Sequence, residues 1–313
     1  MITNLGLARQ FLSIEIHRDG TGDGTRVSLR QKAYIITILR QFGMKHTHDV
    51  STPMDSNVKL DLAEDRGEKE LEDITDYQAV VGSLMYAALA TWPDFLYAVA
   101  ALSRYNSRPF TSHMTAAKRV LQYLKYTADF HLHFNSNGIG IGIGISIGIS
   151  IGIGIGIGIG IGIGIGIGIG INIGNSLVGY SDSDLANDSA DHKSQGGHAF
   201  LTSNGAILWE SRKESLIAMS TLKAEFIACS EASREAKLLL QLQKDILGKD
   251  LPPLPINCDN QGAFTLITMG IIKARTKHID VCYHNSRALH KRPILDYSLY
   301  TQTKMWQINS RKH

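Results

Sequence analysis

The chain has 313 residues, 43% of them hydrophobic, which is enough for two globular domains. A formal net charge of +3 excludes a strongly acidic or strongly basic protein and is compatible with nucleic-acid binding. Three cysteines (Cys229, Cys258 and Cys282) without a Cys-x-x-Cys pair exclude a disulfide-rich scaffold. We therefore expect reduced thiols and a place in the cytoplasm or nucleus, since the N-terminus also shows no secretory signal.

The first residues predict a β-hairpin followed by a helix. Residues 11–16 and 25–29 are short apolar runs separated by HRDGTGDG, whose Gly and Asp residues suit a tight turn. Apolar residues then fall on one side at helical spacing. We expect Ser28 to cap this helix and Gly43 to end it.

A charged connector and three further helices follow. Residues 61–76, DLAEDRGEKELEDITD, predict a mobile, solvated connector. Helices are expected at residues 76–90 and 95–105, with a break before Pro93, and a third should start at a Thr111 cap. The outward Lys118, Arg119 and Lys125 of that helix fit a solvated face at least as well as a phosphate contact.

An Ile-Gly alternation fills residues 138–174. Strict alternation is typical of a strand, but at about 3.3 Å per residue a single strand would exceed roughly 100 Å. The frequent glycines disfavour a helix. High hydropathy raises the alternative of a membrane span, yet the flanking Asn135, Asn137 and Asn175 are not membrane anchors. We interpret residues 135–176 as a low-complexity linker, disordered or β-associating, and expect no membrane partner.

The second half predicts strands at residues 177–183, 198–202 and 206–210, with SNG as the turn between the last two. Ser220 is expected to cap a long amphipathic helix. A short apolar strand should follow at residues 254–258.

Three acids in this half carry the candidate chemistry. Asp182 lies in a predicted strand, Glu225 in the first turns of the long helix, and Asp259 directly after a strand. Any one of them alone would fit an ordinary surface acid. Converging carboxylates repel one another unless cations lie between them, and hard oxygen ligands suit Mg²⁺ or Mn²⁺. Two such ions would serve the hydrolysis of a phosphodiester.

A zinc site is the alternative for His278, Cys282 and His284. No second cysteine pair is present to complete a tetrahedral site, so we interpret these residues as ordinary positions on a helix.

The motifs GYSDSD, STLKAEFIACSEASREA, CDNQGA and RTKHIDVCYH, in this order over about 115 residues, resemble the ribonuclease H domain of copia-type LTR retrotransposon Pol polyproteins. The resemblance implies an α/β (α+β) fold, a ribonuclease H-like mixed five-stranded sheet with flanking helices. It also implies Mg²⁺-dependent cutting of the RNA strand of an RNA–DNA hybrid. Asp182, Glu225 and Asp259 match three of the metal-binding carboxylates, and two Mg²⁺ or Mn²⁺ ions are the implied cofactors.

Arg275, Lys277 and His278 follow Asp259 in the chain. They are candidates for contact with phosphates of the hybrid, and a solvated loop is the equal alternative.

The first half resembles the C-terminal part of the reverse transcriptase of the same polyproteins, through FLSIEIHRDG, STPM, YQAVVGSLMYAALATWPDFLYAVAALSRY and HMTAAKRVLQYLKYTADFHLHF. A mostly helical remnant is implied. The Asp-Asp pair of the polymerase site does not occur in this sequence, so no DNA polymerase activity is expected. The expected organisation is residues 1–134 for this remnant, 135–176 for the linker, 177–300 for the ribonuclease H-like domain and 301–313 for a tail.

The family has a fourth acid, in an Ala-Asp pair near its C-terminus, but no acidic residue follows Asp296 here. Two functions follow from this departure. The chain is either a nuclease acting on RNA–DNA hybrids, with the rest of the Pol polyprotein as a further partner, or a non-catalytic relic that at most binds nucleic acid.

Overall fold

The computed structural model describes residues 7–20, 26–55, 60, 67–135, 143–151, 163–169, 177–184, 193–202, 205–214, 217–218, 220–248, 250–269, 285–291 and 294–299. The chain divides into two compact units, one built mainly from residues 8–132 and the other mainly from residues 133–310.

The first unit is mostly helical, with a small sheet at its start. Its elements are β1 (Gln10–Phe11), β2 (Ile14–Asp19), β3 (Arg26–Arg30), α1 (Lys32–Gln41), α2 (Thr75–Ala90), a 3-10 turn (Pro93–Phe95), α3 (Leu96–Ser103) and α4 (Thr111–Tyr126), and β4 (Leu132–Asn135) begins at its last residue. The strands are arranged in the order β1-β2-β3-β4. Trp92, Phe95 and Tyr77 are fully buried in the helical core.

The first predicted strand is divided in two. Leu12 and Ser13 adopt positive φ values of 43° and 63°, and the chain turns there so that β1 pairs antiparallel with β2. Positive φ is unusual for residues with a side chain, so neither Leu12 nor Ser13 signals a turn in the sequence.

Both predicted caps in this unit are wrong. Ser28 is buried within β3, and α1 begins after Gln31, whose side chain makes no capping bond. Thr111 is the first residue of α4, and the N-cap is Phe110, whose backbone N–H donates to His113 Nδ1 at 2.9 Å. Gly43 ends α1 as expected, with φ at +67°.

The described part of the charged run is attached to the start of α4. Leu71 N–H donates to Pro109 O at 2.9 Å, and Thr111 N–H donates to Lys69 O at 3.1 Å. Hydrogen bonds therefore tie the backbone of this part at two points, while Lys69, Glu70 and Glu72 are exposed, as expected for a solvated connector. Residues 61–66 lie outside the described part of the chain.

Two stretches of the Ile-Gly alternation are strands, β5 (Ile143–Ile151) and β6 (Ile163–Ile169). They pair antiparallel with each other in a two-stranded sheet. Of the two conformations expected for the repeat, these stretches adopt the β-associating one. No described helix has the length and apolar character needed to cross a membrane.

The second unit is a five-stranded mixed sheet with flanking helices, which confirms the predicted fold class. Its elements are β7 (Val178–Asp184), β8 (Gln195–Thr202), β9 (Gly205–Lys213), α5 (Thr221–Leu247), β10 (Leu254–Cys258), α6 (Gln261–Thr268), α7 (Asn285–Lys291) and β11 (Leu295–Leu299). The strand order is β11-β10-β7-β8-β9. β7, β8 and β9 are antiparallel, whereas β10 is parallel to both β7 and β11. The core lies between this sheet and the helices, around Phe200, Phe226 and Ile256.

Candidate metal centre

The site begins with the pairing of two parallel strands. Ile256 and Asn257 of β10 lie opposite Gly179 and Tyr180 of β7. β10 ends at Cys258, so the same register carries the next residue, Asp259, level with Asp182. The carboxyl ends of parallel strands form the open edge at which α/β sheets bind their ligands.

The third carboxylate comes from α5. Its N-cap is Ser220, as predicted, and the Ser220 side chain accepts a hydrogen bond from Lys223 N–H at 3.3 Å. Glu225 follows in the second turn and is only 4% exposed, among buried neighbours that pack on the sheet. This long apolar face directs an acidic side chain towards β7 instead of solvent.

The structure brings all three acids together. One carboxylate oxygen each from Asp182, Glu225 and Asp259 can be chosen so that all lie within 4.8 Å of one another. Asp182 and Asp259 are half-buried and Glu225 is buried. The arrangement is thus open towards solvent on the side of the two aspartates and closed on the side of the helix.

The electrostatics of the cluster are unfavourable without a cation. Burial, followed by Asp182 and Asp259, raises the pKa of Glu225 to about 9. Burial and then Asp259 also raise the pKa of Asp182, while a hydrogen bond from Ser183 N–H to Asp182 Oδ1, at 2.9 Å, opposes this shift. Both raised pKa values reflect the cost of placing like charges together at a buried site of low dielectric constant.

A divalent cation fits this group of donors. Glu225 Oε2 is buried and has no hydrogen-bond partner among the described residues. Buried carboxylate oxygens are normally bonded or coordinated, so an oxygen without a partner next to two further carboxylates suits a hard cation. The side chains present are therefore those that could hold Mg²⁺ or Mn²⁺.

Arg275, Lys277 and His278, together with Cys282 and His284, lie outside the described residues. The other two cysteines, Cys229 and Cys258, are buried and free.

Two residues beside the cluster had no signal in the sequence. Ser183 lies between Asp182 and Asp184 and reads as a spacer in the alternating strand. Glu214 ends the charged ESRKE run and reads as a surface acid, yet it is only 2% exposed. Only the pairing of the strands shows that these two side chains meet.

No family model matches this chain. Among curated proteins, it is 32% identical over 287 residues to the retrovirus-related Pol polyprotein from transposon TNT 1-94 of Nicotiana tabacum, covering 90% of this chain and 18% of that protein. It is also 32% identical over 276 residues to the retrovirus-related Pol polyprotein from transposon RE1 of Arabidopsis thaliana, covering 88% of this chain and 16% of that protein. The chain thus spans less than a fifth of the length of these relatives.

Solved structures of ribonucleases H are also similar. RNase H1 of Halobacterium salinarum is 11% identical, over 43% of this chain and 92% of that one, with a TM-score of 0.30. LC11-RNase H1, solved in complex with an RNA/DNA hybrid, is 11% identical over 41% of this chain and 87% of that one, with a TM-score of 0.32. Likenesses of this size carry no inference about activity.

The matches to these two relatives extend over 90% and 88% of this chain. With 32% identity over 90% of its length, the chain belongs to the Pol polyprotein family of copia-type retrotransposons.

Proposed function

We propose that the second unit is a divalent-metal-dependent endonuclease that hydrolyses the RNA strand of an RNA–DNA hybrid. The observation that carries the proposal is the meeting of Asp182, Glu225 and Asp259 at the open edge of the sheet, where a buried Glu225 oxygen has no hydrogen-bond partner among the described residues. Three carboxylates at this spacing form an unfavourable arrangement unless cations are bound between them.

Each acid has its own part in the proposed site. Asp182 is oriented by the hydrogen bond from Ser183 N–H, and Asp259 is held level with it by the pairing of β7 and β10. Glu225 holds a proton at neutral pH when no cation is present, because its pKa is about 9. Binding of a cation must therefore release this proton, so the affinity of the site rises with pH.

Two Mg²⁺ or Mn²⁺ ions, when bound, supply an acidified water and stabilise charge on the leaving oxygen. The chain supplies the orientation and the access. The half-buried aspartates lie towards solvent, where the backbone of a nucleic acid can approach, and the buried Glu225 closes the opposite side.

The partners are proposed from the relatives and from this site. The substrate is an RNA–DNA hybrid, and the rest of the Pol polyprotein is a further partner, since the relatives are more than five times longer than the matched region. The first unit is a reverse-transcriptase remnant without polymerase activity in this proposal.

The test is cleavage of an end-labelled RNA–DNA hybrid by the full chain with Mg²⁺ or Mn²⁺, with DNA duplex and RNA duplex as controls. We expect cleavage of the RNA strand of the hybrid and its loss in Asp259→Asn. Asp296→Asn is the matched control, because Asp296 is exposed on β11 of the same sheet, outside the cluster.

Metal binding by the wild type without cleavage of any duplex would overturn the nuclease and favour a non-catalytic relic that binds nucleic acid. Equal metal binding by the wild type and Asp259→Asn would show that the three acids do not form the site.

A further inference from the structure

We infer that Glu214 is a positioning residue of the carboxylate cluster, acting through Ser183. The inference rests on the proposed metal site and names a residue that supports it. Glu214 directly follows β9 and is 2% exposed. Its backbone N–H donates to Ser194 O at 2.8 Å, so the position of this residue is fixed at the end of the sheet.

The side chain of Glu214 reaches Ser183 on the central strand. Ser183 Oγ donates to Glu214 Oε1 at 3.3 Å, although β8 lies between β7 and β9. Gly196 of β8 pairs with Ser183 on one side and with Arg212 on the other. A Cβ on Gly196 would lie 3.4 Å from Glu214 Oε1. Gly196 therefore lies directly beside the Glu214 carboxyl group, on the strand between Glu214 and Ser183.

Ser183 in turn contacts the cluster. Its backbone N–H donates to Asp182 Oδ1 at 2.9 Å and also lowers the pKa of Glu225 against the larger effect of burial. One N–H thus acts on two of the three acids. β10 ends at Cys258, and its paired residues lie opposite Gly179 and Tyr180 of β7. Ser183 therefore lies beyond the end of β10. Among the described residues no strand pairs with Ser183 on the β10 side, and the hydrogen bond from its side chain to Glu214 supplies an anchor.

Fold stability does not account for an acid at this position. Glu214 Oε2 is buried and has no hydrogen-bond partner in the described part of the chain. The charged groups that act on it are Glu231, Arg212 and Lys223. Burial raises the pKa of Glu214 to about 7. A buried carboxyl group with a single accepted bond is costly compared with an apolar side chain of similar size. Orientation of Ser183 is the role that this contact can perform.

The test is a calorimetric titration of the full chain with Mn²⁺ alone, which measures the affinity for Mn²⁺. Glu214→Leu removes the acceptor at similar volume, and Ser183→Ala removes the donor. Each should weaken Mn²⁺ binding about three- to tenfold, the size of one hydrogen bond. Glu214→Gln keeps an acceptor oxygen and should retain wild-type affinity. The matched control is Glu235→Leu, which makes the same change at a half-buried acid of α5. Glu235 Oε2 has no hydrogen-bond partner among the described residues, so this variant should leave the affinity unchanged.

The double variant Glu214→Leu/Ser183→Ala distinguishes a positioning role from a general effect on the fold. If Glu214 acts through Ser183, the double variant binds Mn²⁺ no more weakly than the weaker single variant. Additive losses, or wild-type affinity in both single variants, would overturn the inference. If Glu214→Leu does not fold, Ser183→Ala alone decides the same contact. Failure of the wild type to bind Mn²⁺ would instead overturn the proposed site, so the two failures are distinguishable.

Discussion

Asp259 lies beside Asp182 because the two residues occupy the same level of parallel neighbouring strands, one just after β10 and one within β7. The sheet register, and not proximity in the chain, creates the pair. Asp259 in turn contributes to the raised pKa of Asp182 and of Glu225. The pairing of β7 with β10 thus holds together acids that repel one another.

Asp259→Asn should abolish the response of the second unit to Mg²⁺ while leaving the metal-free protein at least as stable as the wild type. The substitution removes one negative charge from the cluster and relieves repulsion. For the wild type, Mg²⁺ at 100 times its dissociation constant should raise the free energy of unfolding by about 2.7 kcal/mol. Urea unfolding with and without Mg²⁺ measures both effects.

Asp296→Asn is the control for this experiment and should behave as the wild type, because Asp296 is exposed and outside the cluster. An equal Mg²⁺ response in wild type and Asp259→Asn would contradict the assignment of the site.

Glu225→Gln should flatten the pH dependence of stability in the absence of metal. Glu225 has its pKa raised from 4.5 to about 9, so the folded state keeps a proton that the unfolded chain releases. The free energy of unfolding of the wild type therefore falls as pH rises from about 5 to about 9. The variant should lose more than about 1 kcal/mol of this decrease, the value of one pKa unit.

Urea unfolding in a chelator, at about pH 6 and about pH 9, gives this difference directly. If the free energy of unfolding changes by the same amount between the two pH values in the wild type and in Glu225→Gln, then Glu225 ionises as an ordinary surface acid does.

The sequence predicted those features of the second unit that depend on local pattern. The apolar run at residues 254–258 is β10, with the predicted ends, and Ser220 is the N-cap of α5. Both signals lie within a few residues, where strand periodicity and capping chemistry act. The meeting of the three acids followed from a family resemblance, since their roles depend on contacts distant in the chain.

Features set by tertiary packing were missed. Thr111 has the residue type of a cap, but the N-cap of α4 is Phe110, whose backbone N–H donates to His113 Nδ1. The contact of Glu214 with Ser183 reaches across the strand between them, beside Gly196. Neither arrangement can be read from residue type, because each is decided by which strand or turn lies next to it.

Gly179→Ala should destabilise the second unit by about 1–3 kcal/mol, the usual cost of overpacking a core. Gly179 is buried in the central strand, and a Cβ there would lie 2.6 Å from Phe200 Cε1 and 3.4 Å from Ile256 Cγ1. The ring of Phe200 is fully buried and has little room to shift. Thermal unfolding of the full chain measures the loss.

Gly82→Ala supplies the opposite case. Gly82 lies within α2, and among the described residues no atom beyond its chain neighbours and the nearby backbone of the helix is within 4 Å of the Cβ position. This change should therefore stabilise the first unit by about 0.5–1 kcal/mol. A stability unchanged by Gly179→Ala would show that the sheet tolerates a side chain where Phe200 and Ile256 now close over the strand.

Deletion of residues 138–174 should raise the soluble yield without lowering the Tm of the second unit. The repeat is apolar, uncharged and free of proline, which favours association between copies. Its strands β5 and β6 pair with each other and with no strand of the five-stranded sheet. Replacement by a Gly-Ser linker of equal length is the control, since it keeps the spacing and removes only the isoleucines. In thermal unfolding, the transition whose Tm shifts with Mg²⁺ identifies the second unit. A clear fall of this Tm in both variants would mean that the isoleucines pack against its core.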